Sequence, residues 1–165
     1  LELAPKFNGF YLMETVLLPL DVAPKLSQRW HRDPEDKKML KVFVYLTDVE
    51  EKGAGPFTYV KGSQLGGRWR NLFPQLPPVG RYPEEGAVEK IVPEKDIKFC
   101  FGKSGTVIFC DTSGLHKGGY STTKPRLMFM GCFTSKASVL PRLYEVAQSD
   151  FYDPLSKLAK YAITQ

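Results

Sequence analysis

The sequence predicts an all-β core of short antiparallel strands closed by one C-terminal helix, and three observations carry that expectation. Short apolar runs rich in β-branched and aromatic residues recur along the chain. Glycine and proline, 14 and 13 of 165 residues, gather in the gaps between those runs, where turns reverse the chain. Only the tail from residue 140 changes period. There Asp153-Pro154 reads as an N-cap followed by proline at the first helical position, and Leu155, Leu158, Ala159 and Ala162 recur at helical spacing.

Taken in order, residues 10–18 form an opening strand ended by Pro19, with Met13 packed in the core. Residues 20–26 connect it to an extended segment holding Trp30, His31, Arg32 and Asp33, and Pro34 ends regular pairing there. Residues 39–46 alternate as a strand, with Lys41, Phe43 and Tyr45 on one face. A glycine-rich turn over 49–56 returns the chain as a strand over 57–60. Those glycines serve the turn, because no Gly-Lys-Ser/Thr follows at P-loop spacing. Residues 66–86 are rich in proline, arginine and aromatics. Such a loop either forms a lid, with Arg68, Arg70 or Arg81 on an anionic substrate and Trp69 or Tyr82 packed against it, or is simply tacked to the barrel by its aromatics. Residues 88–92, 97–101 and 106–110 supply three more strands, and 126–133 a last one, while the C-terminal helix packs on a sheet.

Length and composition set the outer bounds. A chain of 165 residues, 42% hydrophobic and 25% charged, fits one domain over residues 1–165 with a sizeable core. No apolar run reaches the ~20 residues that span a bilayer, so no membrane partner is expected. The net charge of +5 is dispersed and broken by acidic clusters such as Glu84-Glu85, and no nucleic-acid motif accompanies it. A mild basic excess favours anionic small molecules. Cys100, Cys110 and Cys132 each lie inside an apolar run and read as buried reduced thiols of a cytoplasmic protein. They lack the close spacing a structural zinc site requires.

The chemistry is concentrated in the chain's only two histidines. In an extended segment His31 and Asp33 point to one side and Arg32 to the other. His116 follows the apolar run 106–110 and a bend at Gly114. Two neutral imidazoles and one carboxylate form the set that holds non-haem Fe(II) on one face and leaves the opposite positions open, so His31, Asp33 and His116 are the candidate ligands. His-x-Asp alone is a common pair with ordinary structural uses. Its placement between strands that also deliver the second histidine gives it weight.

His31-x-Asp33, then Gly55-Pro56-Phe57 leading to Lys61-Gly62-Ser63, then Gly105-Thr106-Val107 leading to His116, then Arg126 ten residues on, resembles the phytanoyl-CoA dioxygenase family of Fe(II)/2-oxoglutarate-dependent oxygenases over residues 10–134. The resemblance implies a double-stranded β-helix, a jelly-roll of the cupin type, in which His31, Asp33 and His116 hold the iron. It also implies that Arg126 receives the distal carboxylate of the cosubstrate 2-oxoglutarate, a role suited to a planar guanidinium that grips a carboxylate through two parallel hydrogen bonds. Tyr45 falls where relatives place an aromatic beside the cosubstrate, with packing as its other role, and Met13 falls where relatives place another contact. Two positions depart from the family: Gln64 stands where relatives commonly have histidine, and Gly118 where a small hydroxyl residue often sits. Relatives usually carry further helical sequence before the β-helix, so this chain is expected to be part of a longer one. The activity implied is hydroxylation of a small or lipid-like organic substrate by O2, with release of succinate and CO2. A carboxylate at position 33 fits a hydroxylase rather than a halogenase, which needs that position free for chloride. Two other classes share the β framework: a cupin-type metal enzyme without 2-oxoglutarate, which usually needs more than two histidines, and a non-catalytic β-sandwich that binds a ligand through its basic loop.

Overall fold

The computed structural model describes residues 6–76, 82–139 and 150–163. Two antiparallel sheets face each other. Strands β1 (Lys6–Thr15), β2 (Met39–Tyr45), β5 (Val107–Cys110) and β7 (Arg126–Thr134) form the larger sheet in the order β1-β7-β2-β5, and β3 (Phe57–Val60), β4 (Ile97–Cys100) and β6 (His116–Lys117) form the smaller in the order β4-β3-β6. This is the all-β core expected from the strand pattern, in the double-stranded β-helix form that the family resemblance implies. The opening strand starts earlier than the apolar run suggests, because β1 pairs with β7 from Lys6 opposite Thr134 to Thr15 opposite Arg126, with a register shift between Phe7 and Gly9.

Inward residues of both sheets build one core. Phe43 and Tyr45 of β2, Phe57 of β3, Cys110 of β5 and Met128 of β7 meet there, and the rings of Phe43 and Phe57 lie 4.6 Å apart. Burying each of these large apolar side chains contributes roughly 1.5–3 kcal/mol. A second cluster of Trp30, Val60, Val88, Val92 and Leu115 covers the outer face of the small sheet.

That second cluster corrects one expected element. Residues 88–92, expected as a strand, lie instead in and just after α1 (Ala87–Ile91). Val88 and Val92 are both buried, and their i, i+4 spacing puts them on the helix face that meets Trp30 and Leu115. The same run of apolar residues serves either element, and the tertiary surface beneath it decides. At the C-terminus the expected helix is present as α2 (Lys157–Ile163), beginning later than Asp153-Pro154 suggests. Ser156 provides the cap, its Oγ accepting from the Ala159 N–H at 3.2 Å. This helix meets β1, where Lys6 Nζ donates to the Tyr161 carbonyl at 2.5 Å.

The three cysteines are free. Burial pushes the Cys132 thiol up to about 11 and Cys110 higher still, which keeps both protonated and unreactive. No helix among the described residues is long and apolar enough to cross a membrane.

Candidate metal centre

The two histidines meet because their backbones pair. His31 N–H donates to the His116 carbonyl at 2.9 Å, and His116 N–H returns the bond to His31 at 2.9 Å. Residues that exchange both bonds in an antiparallel pair project their side chains to the same face, and here the imidazole centroids are 4.3 Å apart. The ladder continues as Asp33 N–H donates to the Thr112 carbonyl at 3.0 Å, so alternation returns Asp33 to the same inner face. Trp30 and Arg32 go to the outer one.

Asp33 Oδ1 lies 3.5 Å from His31 Nε2, and Oδ2 lies 3.5 Å from His116 Nε2. All three residues are buried, and one donor atom from each lies within 4.8 Å of the others. The second nitrogen of each ring settles what the first can do. His31 Nδ1 sits 2.8 Å from the Arg29 carbonyl and His116 Nδ1 2.9 Å from the Gly114 carbonyl. A carbonyl only accepts, so each Nδ1 carries the proton and donates, and each Nε2 turns a lone pair toward Asp33. Two lone pairs and a carboxylate facing one another in a buried site repel unless a cation lies between them. The donor set therefore fits a divalent metal ion held through nitrogen and oxygen.

The charges in the site follow from burial and proximity. Burial pushes His116 down to about 3, against the pull of Asp33, so its imidazole is neutral. Burial pushes Asp33 up, but the Lys41 ammonium, 2.6 Å from Oδ2, pulls the other way, and the carboxyl stays well below the usual carboxylate range. One consequence is measurable. A histidine whose value falls from 6.5 on folding contributes stability that is complete above about pH 6.5 and is lost as pH falls toward about 3, because the unfolded chain binds the proton that the folded chain refuses. Thermal melts of metal-free protein from pH 7 to pH 4 are expected to show a steady loss of melting temperature that His116→Gln flattens. Parallel profiles for the two proteins would contradict the neutral assignment.

A cavity of about 340 Å³ opens from the ligand cluster. Met13, Phe43, Phe57 and Met128 give it apolar walls, and Arg126 closes one side. Arg126 is 2% exposed, with Nη1 donating to the Gly55 carbonyl at 2.5 Å and Nη2 to Thr15 Oγ1 at 3.2 Å, while its buried Nε has no hydrogen-bond partner among the described residues. Gly119, at φ +23°, lies against the guanidinium so closely that a Cβ there would sit 2.5 Å from Nη2. Only glycine leaves that group its place. Tyr45 is fully buried and does not line the cavity. Its hydroxyl donates to the Cys100 carbonyl at 2.8 Å and accepts from Phe57 N–H at 2.9 Å, next to the Arg126 guanidinium.

Of the arginine-rich loop, the described part is fastened to the outer face of the small sheet. Trp69, Leu72 and Phe73 pack on the second cluster, and Arg68 pairs with Asp96, which also accepts from Trp69 Nε1 at 3.2 Å. Arg70 is exposed. Tyr82 comes closest to the ligands, its ring 5.9 Å from that of His31. Arg81 lies outside the described residues.

Four neighbours of the site escaped the sequence reading: Thr15, Arg32, Glu35 and Lys41. Lys41 is the legible one, since a lysine alternating with Phe43 and Tyr45 must either reach solvent or find a buried anion.

Two facing sheets with a two-histidine, one-carboxylate cluster between them define the class: a double-stranded β-helix of the cupin type carrying a candidate metal centre. No family model matches the chain, and no curated protein matches it in sequence. Solved structures do share its fold. HygX from Streptomyces hygroscopicus, with nickel and 2-oxoglutarate bound, is 17% identical with a TM-score of 0.54, the match covering 90% of this chain and 65% of that one. The epimerase SnoN, in complex with Fe3+, alpha ketoglutarate and nogalamycin RO, is 19% identical with a TM-score of 0.57, covering 92% and 60%. The apo non-heme monooxygenase ThoJ is 18% identical with a TM-score of 0.54, covering 87% and 51%. This chain thus spans 51% to 65% of the length of these three. At such identities the likeness establishes the fold.

Proposed function

We propose that the chain is a non-haem Fe(II)/2-oxoglutarate-dependent oxygenase of the phytanoyl-CoA dioxygenase type, in which His31, Asp33 and His116 hold the iron and Arg126 anchors the cosubstrate. The observation that carries the proposal is the convergence of two Nδ1-locked imidazoles on Asp33 at 3.5 Å, in a cavity walled on one side by a buried arginine with an unpaired Nε–H. The metals and 2-oxoglutarate in HygX and SnoN, proteins of the same fold, support it.

When bound, iron and 2-oxoglutarate supply an oxidative decarboxylation by O2 that yields succinate and CO2 and oxidises a substrate C–H bond. The chain's residues position the reactants. The three ligands occupy one face and leave the cavity side open, Arg126 pairs with the far carboxylate, and Tyr45, Thr15 and Gly119 keep the guanidinium aimed. Met13, Phe43, Phe57 and Met128 exclude water, which protects the reacting centre from side reactions. The proposed substrate is a small or lipid-like organic molecule and the proposed outcome is hydroxylation. HygX has been solved with hygromycin B and SnoN with nogalamycin RO, both organic small molecules.

The test is succinate release from 2-oxoglutarate by the Fe(II)-loaded protein in air, which uncoupled turnover reveals before a substrate is known. Arg126→Gln is expected to raise the KM for 2-oxoglutarate by about tenfold to a hundredfold, the worth of a charge-assisted hydrogen-bonded pair of roughly 1.5–3 kcal/mol. No succinate from the wild type would reject the proposal, and an unchanged KM would remove Arg126 from it.

A further inference from the structure

We propose that Lys41 is a positioning residue that holds Asp33 to a single ligating oxygen; the inference rests on the iron reading above. Lys41 enters the site from β2 on the inward face it shares with Phe43 and Tyr45, and its strand neighbours are Cys110 of β5 and Cys132 of β7. Those short side chains leave room for its stem to run toward the ligands. Its Nζ lies 2.6 Å from Asp33 Oδ2 and 3.1 Å from Glu35 Oε1, and its side chain is only 8% exposed. It also lines the cavity that the two histidines and Arg126 line.

The need for such a residue follows from how Asp33 is presented. Its two oxygens face one imidazole each at the same 3.5 Å, so nothing in the histidine pair itself selects between them. A carboxylate that ligates through both oxygens takes two positions on the ion. A cosubstrate that chelates also takes two, and oxygen needs one more. On an octahedral ion already holding two imidazoles, the three demands fit together only if Asp33 spends a single oxygen. Lys41 makes that selection by engaging Oδ2 and leaving Oδ1 free. Glu35 fixes the ammonium from its other side, so the cation is held by two carboxylates and cannot swing away into the cavity.

A lysine that merely filled space would act on stability alone, whereas this one acts on ligand count. In Lys41→Met, Asp33 gains freedom to use both oxygens and the site loses a positive charge beside the ion. Metal affinity is therefore expected to hold or tighten, while 2-oxoglutarate affinity falls by roughly tenfold or more, the scale on which partners of metal ligands act. Two titrations under anaerobic conditions read the split: Fe(II) binding by calorimetry, and 2-oxoglutarate binding by the visible absorption of its iron chelate. Lys41→Arg is expected to restore the chelate. Should Lys41→Met fail to fold, Lys41→Gln keeps a donor for Oδ2 without the charge, and is expected to tighten metal binding with a smaller loss of 2-oxoglutarate affinity. Lys41 variants whose metal and 2-oxoglutarate affinities both match the wild type, or both weaken together, would overturn the assignment. A wild-type protein that forms no chelate at all would instead reject the iron reading beneath it.

Discussion

Replacing His116 by alanine is expected to remove divalent-metal binding, with Mn(II) or Co(II) affinity falling by more than about a hundredfold in calorimetric titration, since even outer partners of metal ligands cost ten- to a hundredfold when lost. The physical reason is that His116 cannot be replaced from nearby. His31 is the only other imidazole in the chain, and among the described residues the cluster able to hold an ion consists of His31, Asp33 and His116 alone. The ladder bonds between His31 and His116 run through backbone atoms, so the variant keeps its pairing and loses only the ring. His31→Ala is expected to cost as much, and the double variant little more, because ligands of one ion act as a unit. Retention of wild-type affinity in either single variant would mean that the ion binds elsewhere.

The second large effect is on stability, and it comes from the residue between the two ligands. Arg32 points away from the metal side and is 5% exposed. Its guanidinium donates to five main-chain carbonyls: Ser63 at 2.5 Å, Ser113 at 2.8 Å, Leu72 at 2.8 Å, Phe73 at 3.0 Å and Trp69 at 3.1 Å. Those carbonyls belong to the turn after β3, the bend before His116 and the fastened part of the arginine-rich loop. One side chain therefore ties the backs of both histidine segments together. Arg32→Met is expected to lose about 3–5 kcal/mol of stability in urea unfolding, because it strands several buried carbonyls at once. Lys, with fewer and less spread donors, is expected to recover only part of it. A loss below about 1 kcal/mol would show that water or a shifted loop can serve those carbonyls equally well.

The strands that carry the site are legible in the sequence because their signals are local. Alternation around His31 assigns Asp33 to one face and Arg32 to the other, and the structure keeps that assignment. The paired glycines and prolines mark the reversals that build two sheets. What remains hidden depends on surfaces formed only after the chain collapses. Residues 88–92 read as a strand, and the helix appears only once Trp30 and Leu115 supply an outer face for Val88 and Val92 to cover. The arginine-rich loop reads equally as a lid or as a segment tacked to the barrel, and the second reading fits its described part, where Asp96 holds Arg68 and Trp69 and Arg32 holds the loop's carbonyls. Tyr45 stands where a cosubstrate contact is expected, yet the Phe57 N–H and the Cys100 carbonyl hold its hydroxyl behind Arg126, a pairing that no spacing rule reveals. Gly118, where a hydroxyl residue is expected, donates its N–H to the Ser27 carbonyl at 2.8 Å, and the hydroxyl beside Arg126 comes from Thr15 at the far end of the sequence. Long-range donors of this kind leave no local trace.

The most direct measurement is an anaerobic titration of the protein with Fe(II) followed by 2-oxoglutarate, read by visible absorption. A weak charge-transfer band is expected, saturating at one iron and one 2-oxoglutarate per chain and absent from His116→Ala. No band in the wild type, or an equal band in His116→Ala, would contradict a single ion held by His31, Asp33 and His116.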